Sequence, residues 1–123
     1  MKKILIVHRI EENEQKITRV ATALKNHGLE CSDLEQYKDE HYTSSVSYWI
    51  RQSVEGSDLE GKKLYDALVH IGKYADHFSS QFIRLALHNN MPVWVAIDGK
   101  MYSVEDLIEN DFIELKYVTE GKK

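Results

Sequence analysis

Three short runs of this chain combine residues that can bind or react. The first is His8-Arg9-Ile10, which follows the apolar run Ile4-Leu5-Ile6-Val7. The second is Gly72-Lys73-Tyr74-Ala75-Asp76, which follows Asp66-Ala67-Leu68-Val69-His70-Ile71. The third is Ser79-Ser80, where a helix is expected to begin. Cations beside an aromatic ring and small hydroxyls suit a phosphate-bearing or nucleoside ligand, because Arg and Lys meet the anion and Tyr offers a face and a hydroxyl. Residues at the rim of any globular domain are also polar simply because they face water. Both readings stand at this point.

Several other chemistries are excluded by spacing. The six histidines (His8, His27, His41, His70, His77 and His88) contain no H-x-x-x-H or H-E-x-x-H pair, so a metal site would need distant segments. Neither G-x-G-x-x-G nor G-x-x-x-x-G-K-[ST] occurs, which removes the dinucleotide fingerprint and the P-loop. An acyl-phosphate pocket needs paired acidic residues after the first apolar run and an aspartate after the third. Those places read His8-Arg9 and Gly72-Lys73. A flavin phosphate loop rich in Ser, Thr and Gly is replaced by Arg9-Ile10-Glu11-Glu12-Asn13. No cofactor is implied by any of these runs. Cys31 is the one cysteine, which excludes an internal disulfide and reads as a small apolar filler.

The elements that must position the three runs read as follows. Residues 3 to 8 lack alternation and are β-branched, as a strand buried on both faces should be. From about Glu12 to Asn26, Ile17, Val20, Ala21 and Leu24 form a helical stripe behind an acidic start, which reads as a solvated face favoured by the helix dipole. Gly28 can close that helix in the left-handed conformation. Leu29 to Leu34 is a weaker strand, and Gln36 to Ser45 reads as a loop. Val46, Trp49, Ile50 and Val54 then share a helical face over Ser45 to Val54, with Thr43, Ser44 or Ser45 as the N-cap. Asp66 to Ile71 is a buried strand in which His70 reads as a hydrogen-bonded core side chain. A helix from Ser79 to His88, capped by Ser79 or Ser80, leads to a strand from Val93 to Ile97. Asp98-Gly99 is a turn dipeptide, and Ser103 to Asp106 resembles a capping box for a short helix through Leu107 and Ile108. Phe112 to Val118 alternates and reads as an edge strand, while Trp49 and Trp94 read as core.

Strands and helices in alternation make one α/β domain over residues 1–123. We expect an open, mostly parallel five-stranded sheet in the flavodoxin-like order 2-1-3-4-5, with helices on both faces. In that order ligands sit beyond the carboxyl ends of the strands, where strand order reverses. His8, Arg9, Lys73, Tyr74, Asp76, Ser79 and Ser80 all fall there and are the candidate ligand-binding residues.

The segment Ala75 to Ala86 with Met91-Pro92-Val93 carries a further pattern: small hydroxyls before a helix that runs into a Pro-Val strand. It resembles the corresponding region of TIR domains and nucleoside 2-deoxyribosyltransferase-like domains. The opening Lys3 to His8, with a helix ending Leu24-Lys25-Asn26-His27-Gly28, is similar to the TIR start. Together these segments cover about half of the chain. The resemblance implies chemistry at an N-glycosidic bond, carried by a glutamate in the helix after the third strand. The matching position is Phe82, or Gln81 or Ile83 in a shifted register, and none is a carboxylate. Only Ser79 keeps the small hydroxyl. Oxocarbenium-like chemistry needs a negative group beside it. The expectation is therefore a non-catalytic nucleotide-ligand-binding or protein-interaction module, Rossmann-like or TIR-like. The alternative is a small nucleoside- or nucleotide-processing enzyme that uses Asp76, Glu11 or Glu12 instead.

Composition sets the remaining bounds. The chain has 123 residues, 42% of them hydrophobic and 29% charged, which is globular composition. A net charge of −4 disfavours nucleic acid as the main partner, although Arg9, Lys73 and Arg84 could form a local patch. Apolar runs are far shorter than the ~20 residues that span a bilayer. A cytoplasmic domain with no membrane partner is expected, binding a nucleotide or other anionic small molecule or a protein.

Overall fold

The computed structural model describes residues 2–32 and 46–104, with the backbone alone over 46–49. The elements are β1 (Lys3–Val7), α1 (Glu14–Asn26), β2 (Glu30–Ser32), α2 (Val46–Glu55), β3 (Ala67–Ile71), α3 (His77–His88), β4 (Val93–Ile97) and β5 (Lys100–Ser103). They form a five-stranded sheet in the order β2-β1-β3-β4-β5. The β2–β1, β1–β3 and β3–β4 pairs are parallel, and β4–β5 is antiparallel. The expected strand order and the mostly parallel sheet are both present.

Side chains alternate across the sheet, so each strand feeds two cores. Leu5, Val7, Leu68, Val93 and Val95 pack with Ile50 and Val54 of α2 and Phe82, Ile83 and Ala86 of α3. Ile6 and Ile71 meet Ile17 of α1 on the opposite face, with Val20, Ala21 and Leu24 beside them. Helices therefore lie on both faces. Strands β1 and β3 are buried on both sides, which is why neither alternates in polarity.

Four expectations need correction. The fifth strand is Lys100–Ser103, and it follows β4 through Asp98 (φ 49°) and Gly99 (φ 80°). Two successive positive φ values give the turn that matches the twist of a hairpin, so the chain returns antiparallel at once. The Phe112–Val118 strand, the Leu107–Ile108 helix and the Thr43–Ser45 caps lie outside the described residues, as does the Trp49 side chain.

Trp94 is not core: it is 41% exposed. Its run is apolar, yet α1 packs against β2 and β3, and Trp94 on β4 and Met101 on β5 (42% exposed) lie farther out on that face. Helix α3 begins at His77, with Asp76 as N-cap, two residues before the expected start at Ser79. Helix α1 begins at Glu14 with Asn13 as N-cap, so Glu12 precedes the helix, and it is buried rather than part of a solvated face.

Candidate functional site

Val7 pairs with His70 in parallel register, so His8-Arg9-Ile10 and Gly72-Lys73-Tyr74 leave the same end of neighbouring strands. That end is where strand order reverses. What fills it is a network of buried polar groups.

The network starts at His70, which is fully buried in β3. Its Nδ1 lies 2.8 Å from the Gly72 carbonyl, an acceptor, so Nδ1 carries the proton and donates. Nε2 then holds a lone pair and accepts the Ser79 hydroxyl proton across 3.2 Å. Ser79 Oγ in turn accepts the Asp76 backbone N–H at 3.1 Å, and the Ser79 N–H donates to Asp76 Oδ1 at 2.7 Å. This is a reciprocal capping box with serine in the usual Glu or Gln place. The other carboxylate oxygen of Asp76 accepts the Ile10 N–H at 2.9 Å. One chain of hydrogen bonds thus ties the β3 exit, the start of α3 and the β1 exit together.

Burial pushes the His70 pKa down from 6.5 to about 4, against the opposing pull of the Gly72 carbonyl and the Asp76 and Glu12 carboxylates. The ring is neutral at pH 7. A serine hydroxyl aimed at a neutral imidazole is the arrangement of a nucleophile and its base. Here Ser79 and His70 are both 0% exposed, and Ser79 Oγ also accepts the Asp76 N–H, so the pair ties the start of α3 to β3.

The β1 exit is built in the same manner. The Arg9 carbonyl accepts from His8 Nδ1 at 2.7 Å and from the Glu12 N–H at 3.1 Å. Glu12 Oε1 accepts the Asn13 N–H, and Oε2 accepts Arg9 Nε–H at 3.3 Å. Glu12 also presses on the β3 exit: a methyl on Gly72 would stand 3.3 Å from Glu12 Oε2, at φ +85°. Gly72 is thus required twice, by its left-handed backbone and by that approach. His8 is 1% exposed, and its Nε2 is buried with no hydrogen-bond partner.

Outside this network lies the exposed rim. The Arg9 side chain is 41% exposed, and Ile10 and Tyr74 are exposed. The Lys73 ammonium lies 5.2 Å from the centre of the Tyr74 ring, within cation–π range. Of the seven candidate residues, Arg9, Lys73 and Tyr74 stand at the surface, His8 is buried behind them, and Asp76 is half-buried. Ser79 and Ser80 are buried and committed, Ser80 Oγ donating to the His77 carbonyl at 3.0 Å. The helix cap expected from Ser79 or Ser80 belongs to Asp76, because its carboxylate reaches back to the Ser79 N–H.

Sequence reasoning gave His70 no site role and named Glu12 only as a replacement carboxylate in the enzyme alternative, not as a buried group at the β1 exit. The signal for Glu12 was Asn13, a good N-cap that leaves Glu12 outside the helix. Among the described residues, open concavities lie at the other end of the sheet, about 550 Å³ near Lys3, Lys25, Cys31 and Tyr65, and about 320 Å³ near Leu87, Met91 and Trp94. Neither contains a buried polar group without a partner. Among the described residues no three of His, Cys, Asp and Glu are arranged to hold a metal ion, and no helix is long and apolar enough to cross a membrane.

No family model, curated protein or solved structure matches the chain. The functional reading rests on this site.

Proposed function

We propose that the protein is a non-catalytic binding module for a nucleotide or a similar anionic small molecule, seated at the carboxyl ends of β1 and β3. The observation that carries the reading is His8 Nε2, a buried nitrogen without a partner at the point where strand order reverses. Nearly all buried polar atoms are hydrogen-bonded, so an unpaired one beside an exposed cationic rim marks a place where a ligand atom is wanted. Among the described residues Arg9 bonds through its Nε–H to Glu12, and its two terminal NH₂ groups are the donors that an anion would take. Lys73 and Tyr74 supply a second charge and a ring.

The resemblance to TIR and deoxyribosyltransferase-like domains supports the same ligand class. The place of their glutamate argues against catalysis here. Phe82 and Ile83 are packed in the core, and the Gln81 amide donates to the His77 carbonyl.

Titration calorimetry with adenosine monophosphate tests the reading. Lys73→Ala is the appropriate variant, because Arg9 also neutralises the buried Glu12. Among the described residues that carboxylate would then keep the Asn13 N–H alone, so Arg9→Ala is expected to lose about 1–2 kcal/mol of stability as well as affinity. Lys73→Ala should weaken binding roughly two- to fivefold and leave the unfolding midpoint in place. Raising the salt concentration should weaken it further. The reading fails if neither nucleotides nor simple phosphates bind the wild-type protein.

A further inference from the structure

The charges at this site are sorted by depth, and the sorting restricts the ligand. The inner part holds two carboxylates, Glu12 and Asp76, and the neutral His70; all three lie close enough for the carboxylates to act on the His70 titration. Asp76 already fills the N-terminal end of α3 with its own negative charge. A phosphate placed there would meet a carboxylate rather than free N–H groups. The positive groups, Arg9 and Lys73, lie outside this layer.

His8 belongs to the inner layer. Its Nδ1 is held on the Arg9 carbonyl, which can only accept, so the Nδ1 proton is fixed there. In the neutral ring Nε2 is then a lone pair that points away from that carbonyl and can only accept a hydrogen bond. Its complement is an uncharged donor such as a hydroxyl. We infer that His8 is a specificity-determining residue. Its Nε2 accepts a hydrogen bond from a sugar hydroxyl of the ligand while the phosphate of the same ligand meets Arg9 and Lys73. The ligand class is a phosphorylated sugar or nucleotide with a free vicinal diol, in preference to inorganic phosphate or a deoxygenated analogue. This rests on the binding reading above and adds which end of the ligand enters first. Nε2 is covered in this structure, so the ligand must displace what lies over it, and Arg9, next in the chain, is 41% exposed.

The experiment is titration calorimetry on the full chain with adenosine monophosphate, its 2′,3′-dideoxy analogue and inorganic phosphate. The wild type should prefer adenosine monophosphate to the dideoxy analogue about tenfold, the equivalent of about 1.4 kcal/mol. His8→Leu should bind both equally, at the level of the analogue. Spectra of ¹⁵N-histidine-labelled wild type give a second readout that needs no variant. The His8 Nε2 signal should move with adenosine monophosphate but not with the dideoxy analogue.

Equal wild-type affinities for the two nucleotides overturn the inference and leave the binding reading intact. So does a His8→Leu variant that still prefers adenosine monophosphate to the dideoxy analogue as the wild type does. If no nucleotide and no phosphate binds, the binding reading itself has failed and the inference goes with it.

Discussion

Two histidines one strand apart carry different chemistry because one is paired at both nitrogens and the other at one. His70 has Gly72 and Ser79 as partners, and its burial holds the ring neutral with a pKa of about 4. In the unfolded chain the same ring takes up a proton near 6.5. Between those values the unfolded state binds more protons, so this group makes stability fall as pH drops from 6.5 towards 4. The slope from this one residue is at most about 1.4 kcal/mol per pH unit. Urea unfolding of the wild type across pH 4–7 should show the decline, and His70→Gln should flatten it while lowering stability at pH 7. A wild-type profile that is flat from pH 6.5 to 4.5 would contradict the buried neutral ring. His8 shows what sequence cannot supply. Its position after an apolar run marked it as a rim residue, but only the three-dimensional contacts show that its far nitrogen is left unpaired.

At the scale of elements, the sequence was most informative where periodicity and end signals agreed. The stripe at Ile17, Val20, Ala21 and Leu24 and the stop at Gly28 (φ 82°) are α1 as it stands. It was less informative where a cap depended on reach. The run Asp76-His77-Phe78-Ser79 contains two residue types that cap helices, and choosing between them needs the backbone angle. Asp76 is extended, with φ −80° and ψ −179°, so it is the cap and Ser79 is its partner three residues on. The same carboxylate holds the Ile10 N–H, so α3 and the β1–α1 connection share one anchor. Asp76→Ala is expected to cost about 1–2 kcal/mol, the range of a lost N-cap, and also to loosen the Ile10 loop. Asp76→Asn keeps an oxygen for the Ser79 N–H but turns an NH₂ on the Ile10 N–H, so it should recover the cap and not the loop anchor. Guanidinium unfolding measures both. Equal midpoints for Asp76→Ala and the wild type would remove Asp76 from the role of anchor.

For the whole molecule, the burial of β1 and β3 on both faces is what made the sheet legible, since continuous apolar runs are diagnostic of central parallel strands. The outer strands were less so. Trp94 sits in an apolar run but beyond the reach of α1, and no pattern within β4 reveals where a helix on the far side stops. The same architecture decides which end of the molecule should respond to ligand. The β1 and β3 exits at the carboxyl end are laced by the Asp76–Ile10 bond and the contact of Glu12 with Gly72, so a ligand that orders one must order the other. Hydrogen exchange with saturating adenosine monophosphate should therefore slow the amides of residues 9–12 and 73–80 together. The concavity near Lys3, Lys25 and Tyr65 at the opposite end should exchange as before. At 100 times the dissociation constant, global unfolding should also become harder by ~2.7 kcal/mol, which sets the scale of the accompanying thermal shift. Protection confined to the Lys3–Lys25–Tyr65 end would move the binding site to the amino ends of the strands and sink the assignment. Protection of only one of these exits would show that the Asp76 anchor does not couple them.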